Sequence, residues 1–366
     1  MPIKIAIIGC GAVVENRYKK ALRKLERHGI LRVVALVDKD IDRAEQLQKF
    51  FMNARAYDNL AGAIDKSGSN LAIIASPPAF HAEHSILALQ NGNHVLCEKP
   101  MAKTKEECIS MVQAGRRTNR LLAIGMTRRF YPSLVQAKHL IEKGELGDIL
   151  SFSYREGEKY DWPISTPASF QRIEGGGGVL FDTGSHVLDT IIWLLGMPSI
   201  ISYVDDAMGD GVEANCIVNI EVAGSTGVIQ LSWDQDLANE LRITGTRAEV
   251  IIALGSVDDF SMKKSGENRN YEKLRHQISF PLSTNAKAKM GAPKIRPDCF
   301  HFQIVQMIRA IELGESIPAT GKQGAQVISI IEECYRIARS IDMAWLPPIQ
   351  NDTYKGLHWR NKKWAR

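Results

Sequence analysis

The stretch "GGGGVLFDTGSHVLD" (175–189) carries a carboxylate and an imidazole four positions apart. If a helix begins near Asp182, Asp182 and His186 fall at i and i+4 on one helical face. A histidine beside a carboxylate is a general-base candidate near neutral pH, and equally a buried structural pair. Glycines weaken a helix or strand by about 0.5–1 kcal/mol each relative to alanine, so four in a row need a reason. One such reason is to let the backbone pass close to a ligand. A second reactive group lies in "CEKP" (97–100), where Lys99 ends a short apolar run. Pro100 keeps Lys99 out of helical geometry, so its ammonium can project into a crevice and donate to a substrate oxygen. A solvated loop lysine is the alternative.

Gly9-Cys10-Gly11, followed by Ala12 and Val13, links a buried run to an amphipathic one. Free N–H groups and the dipole at a helix start can hold a pyrophosphate there. Val14 takes the third small position of G-x-G-x-x-G, so the fingerprint is incomplete and a plain tight turn remains open. Asp38 ends the next apolar run, where a carboxylate accepts from an adenosine ribose and repels a 2′-phosphate. That favours NAD, although Lys39 beside it leaves NADP open. Ser76 and Pro77 in "ASPPAFH" suit a rigid loop beside a cofactor. His81 and His84 lie three apart without a third ligand nearby, so no metal site is expected.

These residues need elements to hold them. "IKIAIIG" (3–9), "RVVALVD" (32–38), "LAIIAS" (71–76), "HVLCEKP" (94–100) and "LLAIG" (121–125) read as buried strands. A helix in "ENRYKKALRKLERHG" and helices over 40–51, 79–91 and 103–118 separate them. Strand–helix alternation predicts an α/β fold with a parallel, doubly wound sheet. Beyond about residue 148, "ILSFSYREGE", "EANCIVNIEVA", "GVIQLSW", "ELRITGT" and "AEVIIAL" alternate at period two, as antiparallel strands with one wet face do. An apolar helix over roughly 182–195 interrupts them, and two helical patterns follow in "CFHFQIVQMIRAIELG" and "GAQVISIIEECYRIARSI". Residues 256–297 read as a long polar loop. The expected division is 1–125, 126–342 and a basic tail over 343–366, either frayed or gripping an anionic substrate or a neighbouring subunit.

A chain of 366 residues, 45 % hydrophobic and 24 % charged, has material for two globular cores. The net charge of +5 permits an acidic substrate but gives no reason to expect nucleic acid or a membrane surface. Six scattered cysteines without a C-x-x-C pair read as reduced thiols. The short apolar start "MPIKIAIIGC" is neither a signal peptide nor a span, and the expectation is a cytoplasmic protein.

From "IAIIGCGAV" through "AIIASPPAFHAEHSILALQNGNHVLCEKPMA" and "GGGGVLFDTGSHVLD" to "AIELGESIPATGKQGAQVISIIE", the chain resembles the glucose–fructose oxidoreductase, inositol dehydrogenase and rhizopine-catabolism (Gfo/Idh/MocA) family. The resemblance implies an N-terminal Rossmann domain and a C-terminal α/β domain with an open, mostly antiparallel sheet. It puts the active site between them and implies homodimers or homotetramers packed through that sheet. It assigns catalysis to Lys99, Asp182 and His186. Cofactor contacts fall to Gly9, Gly11, Ala12, Val13, Asp38, Ser76, Pro77, His81, Glu98 and Lys99. Arg128, Arg155, Tyr160 and Trp162, from "MTRRFYP" and "YREGEKYDWP", join the catalytic set as substrate contacts, with Arg129 a further candidate. The implied reaction moves a hydride between NAD(P) and a ring secondary alcohol of a sugar, sugar nucleotide or cyclitol. His186 takes the hydroxyl proton, Lys99 donates to the oxygen, and Asp182 orients His186 or the hydroxyl. The glycines, on this view, clear space for the sugar and the nicotinamide. Two other readings are an NAD-dependent glycosidase with a redox-neutral cycle and a non-catalytic dinucleotide sensor. The intact Lys99, Asp182 and His186 set argues against the sensor.

Overall fold

In the computed structural model, which describes residues 2–163, 170–266, 271–273, 280–281, 289–290 and 293–341, the alternating runs of the first third build a parallel sheet. Its elements are β1 (Ile3–Ile8), a π-helical turn (Val14–Tyr18) running into α1 (Lys19–Arg27), β2 (Leu31–Val37), α2 (Ile41–Gln48), β3 (Arg55–Tyr57), α3 (Leu60–Ser67), β4 (Leu71–Ile74), α4 (His81–Gln90), β5 (His94–Cys97), α5 (Lys105–Thr118) and β6 (Leu122–Ile124). The strand order is β3-β2-β1-β4-β5-β6. Its central strands are buried on both faces, as helix-covered parallel strands must be. The sequence reading passes over β3 and α3, because a three-residue, half-exposed edge strand leaves no apolar run to see.

β1 and β4 pair in parallel, so their carboxyl ends lie side by side, and the strand order reverses between them, the point where such sheets open a crevice. Gly9 makes this approach. Its φ is +92°, and a Cβ there would lie 2.5 Å from the Ala75 carbonyl oxygen.

The second part contains α6 (Pro132–Glu142), β7 (Ile149–Gly157), α7 (Arg172–Gly175), α8 (Val179–Leu195), β8 (Ser199–Asp205), β9 (Asn215–Val222), β10 (Ser225–Ser232), β11 (Glu240–Gly245), β12 (Ala248–Ala253), β13 (Phe260–Lys264) and β14 (Glu272–Lys273). Then follow β15 (Phe280–Pro281), β16 (Lys289–Met290), α9 (Arg296–Leu313), α10 (Gly321–Arg336) and β17 (Arg339–Ser340). Nine strands form one sheet in the order β14-β13-β12-β11-β7-β10-β9-β8-β17, antiparallel except at β7/β10 and β8/β17. The expected loop over 256–297 is therefore corrected. Phe260–Lys264 pairs with β12, and Phe260 alone is fully buried, which suffices for a strand near a wet sheet edge.

Helix α9 fills a core that belongs to the first sheet, where Phe300, Ile304 and Ile308 join Ile5, Val14, Tyr18 and Leu22. A cut at residue 125 separates this helix from the core it completes. Helix α10 packs against α5 and α8. Among the described residues, no helix is long and apolar enough to cross a membrane.

Helix α8 is buried almost all round, and its start explains the glycines. Its N-cap, Gly178, has no side chain to satisfy the free N–H groups of the first turn. Glu213 satisfies them instead. Its carboxylate Oε1 accepts from Gly178 N–H (3.1 Å) and Leu180 N–H (3.0 Å), while its backbone oxygen accepts from Val179 N–H (3.0 Å). The Tyr335 hydroxyl donates to the same carboxylate oxygen at 2.7 Å. A Cβ on Gly178 would strike the Glu213 backbone, and one on Gly177 would strike the Tyr335 ring. Gly176 (φ +95°) packs under Phe181. These three glycines thus make room for the protein's own groups, not for a ligand.

A Gly178→Ala substitution is expected to lower unfolding stability by roughly 2 kcal/mol or more, the range for a forced shift in a packed core. A urea denaturation midpoint equal to that of the unmodified chain would show that the Glu213 contact has slack.

Candidate active site

Lys99 leaves the carboxyl end of β5 and reaches across to α8. Its Nζ donates to the Asp182 carboxylate and also to the Asp182 backbone oxygen at 3.3 Å. The Asp182 side chain is 45 % exposed and that of Lys99 is 18 % exposed, so the pair faces an opening rather than the core. His186 follows one turn along α8, half-buried, with Nδ1 buried and unpartnered among the described residues. Burial pushes the imidazole well below its ordinary range, and the nearby charges of Lys99, Arg128 and Arg296 act in the same direction. His186 is therefore neutral near pH 7. The three expected groups share one place, but the expected Asp182–His186 pair does not form. Asp182 meets Lys99 from the strand end of the first sheet instead.

At the other side of the crevice, the helix after β1 begins at Ala12 and Val13, whose N–H groups have no intrahelical acceptor. A Cβ on Gly11 would meet nothing within 4 Å, so the approach to these N–H groups is open. Val14, the departure from the glycine fingerprint, is completely buried in the core with Tyr18. Asp38 is half-buried at the end of β2. Its carboxylate accepts from Cys10 N–H (2.8 Å) and Asp40 N–H (3.0 Å), which fixes it beside the glycine loop. An open helix start, a close-passing glycine and a fixed carboxylate fit a dinucleotide with a free ribose.

Ser76 and Pro77 follow β4 at the same carboxyl edge. Two other expected cofactor contacts turn inward. His81 is 1 % exposed, and its ring nitrogens lie 2.7 Å from the Ser76 and Pro100 carbonyl oxygens. It braces two loops, and burial lowers its pKa to about 4. Glu98 is 6 % exposed and points away from the crevice, toward Tyr18. Both side chains serve as internal braces, since a buried polar side chain must find its partners inside. His84 bonds the Ser76 hydroxyl at 2.9 Å.

The expected substrate residues divide sharply. Arg128 is buried and grips Glu156 with two hydrogen bonds (2.6 and 2.7 Å), besides donating to the Tyr154 hydroxyl. Three of its five N–H donors are thus taken up by the protein itself. Arg129 likewise holds Asp189 at 2.6 and 2.9 Å. Arg155 is exposed and lies one residue out of phase with Tyr154 and Glu156, so strand alternation sends it to the opposite sheet face.

Tyr160 lies within reach of the Asp182 charge. Burial raises its phenol pKa, and the charge of Asp182 adds to that. Its ring packs edge-on against Trp233 (4.9 Å) and Phe170 (5.7 Å). Trp162 lies 36 % exposed, with the Arg17 guanidinium 5.5 Å from its ring centroid. That contact joins the segment after β7 to the helix after the glycine loop. Sequence reasoning missed Phe170, Trp233, Arg296 and Glu213. Trp233 and Glu213 stand at the ends of the alternating runs "GVIQLSW" and "EANCIVNIEVA" that the sequence did show, whereas no local pattern marks Phe170 and Arg296.

Residues 3–126 match the oxidoreductase family with an NAD-binding Rossmann fold, and residues 134–251 match the GFO/IDH/MocA C-terminal domain. The chain belongs to the Gfo/Idh/MocA oxidoreductase family. An uncharacterized oxidoreductase of Schizosaccharomyces pombe is 31 % identical over 93 % of this chain and 98 % of its own. The D-glucoside 3-dehydrogenase of Escherichia coli is 31 % identical over 55 % of this chain and 56 % of its own, so the match spans about half of that relative. Among solved structures, a levoglucosan dehydrogenase in complex with NADH and levoglucosan superposes with a TM-score of 0.79 at 22 % identity, over 91 % of this chain and 97 % of the other. At that identity the likeness concerns the fold.

In a ring-proton NMR titration, His186 is expected to stay neutral through pH 6.5 and to protonate only well below it. Lys99→Met removes one of the opposing charges and should move this titration upward. A titration near 6.5 in the unmodified chain would contradict the buried, cation-flanked environment.

Proposed function

We propose that the chain is an NAD-dependent dehydrogenase that oxidises a secondary alcohol on a sugar-like ring, or reduces the matching ketone. The observation that carries this reading is the meeting of Lys99 with Asp182, one helical turn before a neutral His186, across a crevice from the open helix start at Gly11. Relatives named as glucoside 3-dehydrogenase, inositol 2-dehydrogenase and levoglucosan dehydrogenase support a ring alcohol.

When bound, the nicotinamide supplies the hydride acceptor. The chain supplies the rest. Gly11, Ala12 and Val13 would hold the pyrophosphate, and Asp38 the adenosine ribose, with a bias against a 2′-phosphate. An ammonium has three donors. Lys99 spends two on Asp182, and the third is aimed at the substrate oxygen. His186, neutral and short of a partner, accepts the hydroxyl proton at its imidazole and returns it in the reductive direction. Asp182 fixes Lys99 and offers its exposed edge to a neighbouring hydroxyl. Tyr160, Phe170 and Trp233 wall the ring and keep water away from it.

The bare face of the nine-stranded sheet, with Leu150 and Ile201 more than half exposed, is proposed as the contact for a second copy of the chain. Light scattering should then show an oligomer that Ile201→Arg weakens, and a monomeric unmodified chain would remove this contact.

Mixing the protein and NAD with a panel of monosaccharides, glycosides, cyclitols and sugar nucleotides should raise the absorbance of reduced nicotinamide, with NAD preferred over NADP. His186→Ala and Lys99→Met should each lower kcat by about 10²–10⁴-fold. Cleaved glycosides without net reduction would replace this proposal with the redox-neutral hydrolase.

A further inference from the structure

Behind Lys99 the structure holds a chain of buried hydrogen bonds that the reaction does not use directly. Gln303 on α9 donates through Nε2 to the Tyr18 hydroxyl at 2.9 Å. The Tyr18 hydroxyl donates to Glu98 Oε1 at 2.6 Å. Glu98 Oε2 accepts from the Lys99 backbone N–H at 3.2 Å. Tyr18 is fully buried, Gln303 is 3 % exposed and Glu98 is 6 % exposed, so water does not substitute for these partners. The direction of the chain is fixed by chemistry. An amide nitrogen only donates, a phenol has one proton, and that proton is therefore left for the carboxylate.

The surroundings leave Glu98 little freedom. A Cβ on Gly125 would lie 3.0 Å from Glu98 Oε1, so the carboxylate packs directly against the backbone after β6. The Glu98 N–H is held by the Ile74 carbonyl oxygen at 2.8 Å. The Tyr18 ring is fixed edge-on against Phe300 of α9 at 5.0 Å. Tyr18 also ends the π-helical turn that follows the glycine loop. Such turns are rare and recur at functional sites. One buried carboxylate thus ties together the glycine-loop helix, α9 and the peptide that carries Lys99.

We propose that Gln303, Tyr18 and Glu98 are positioning residues that orient Lys99 toward Asp182 and the substrate oxygen. This rests on the dehydrogenase reading for its kinetic consequence, but not for the geometry of Lys99. With the Tyr18 proton removed, Glu98 keeps a single donor, the Lys99 N–H, and its carboxylate loses the hydrogen bond that fixes its tilt in this tight space, so the acceptor under the Lys99 peptide shifts. A displacement of about 1 Å at a reacting group can cost ~10²-fold in rate, so a partial loss of orientation should cost on the order of tenfold.

The test uses the full-length chain with Tyr18→Phe and, separately, Gln303→Met, which removes the first donor while preserving volume. Two readouts are taken on each variant. The first is kcat and KM with the best substrate of the panel. The second is the rate of reductive methylation of Lys99 in the cofactor-free protein, followed by peptide mass spectrometry. The proposal expects kcat to fall about tenfold with KM and NADH affinity nearly unchanged, and Lys99 to be methylated about threefold faster. If both variants lower the denaturation midpoint while kcat and Lys99 labelling stay within about twofold of the unmodified chain, the hydrogen bonds are structural only and the proposal is overturned. Should Tyr18→Phe fail to fold, Gln303→Met decides by the same criteria. If no substrate turns over, the dehydrogenase reading fails by itself, and the labelling rates still decide the role of the three residues.

Discussion

Glu213 lies at the amino end of a buried helix and serves three consecutive N–H groups there, two through its carboxylate and one through its backbone oxygen. The position of α8 along its own axis follows from these contacts. Few arrangements allow it, because burial raises the pKa of this carboxyl, and its hydrogen-bond donors, the Arg172 charge and the positive end of the helix dipole counter that cost. Both Asp182 and His186 project from the first two turns after this anchor. A shift of one residue would rotate them by 100°, and neither would then face Lys99.

The same helix is held again at each point where a charge leaves it. Asp182 meets Lys99 from the first sheet, and Asp189 meets Arg129 from the turn after β6. Arg129 also bonds Gln323 on α10 at 3.2 Å. Buried ion pairs add little net stability, because desolvation offsets most of the attraction, but removing one partner strands the other. Their contribution here is to register. Arg128 and Glu156 form a further pair below the site, and the Arg128 charge helps keep His186 neutral. The site thus combines a neutral imidazole, an ion-paired ammonium and an exposed carboxylate edge within a few turns of backbone.

The fold was legible where periodicity was strong. Buried runs of four to seven residues alternating with amphipathic helices gave the parallel sheet, and period-two runs gave the second sheet. What escaped had no such signal. The three-residue β3 lies at an edge, and β13 buries only Phe260 within a polar stretch. The glycine run was legible as an anomaly, yet its cause was not, because Glu213 and Tyr335 lie far away in sequence from Gly178.

Residue type and spacing singled out Lys99, Asp182 and His186, and Gly9 and Asp38, as candidates, and the family resemblance gave them roles. Tertiary structure decided which partner each one took. Arg128 and Arg155 are alike in type and belong to adjoining motifs, yet one is locked beneath the site by Glu156 and the other faces out from the far side of the sheet. Glu98 and Lys99 are neighbours in one motif, yet the carboxylate turns into the core while the ammonium turns into the cleft. A buried charge takes the partner that packing brings nearest, and that proximity is set by elements distant in sequence, such as Gln303 on α9, which no local pattern encodes.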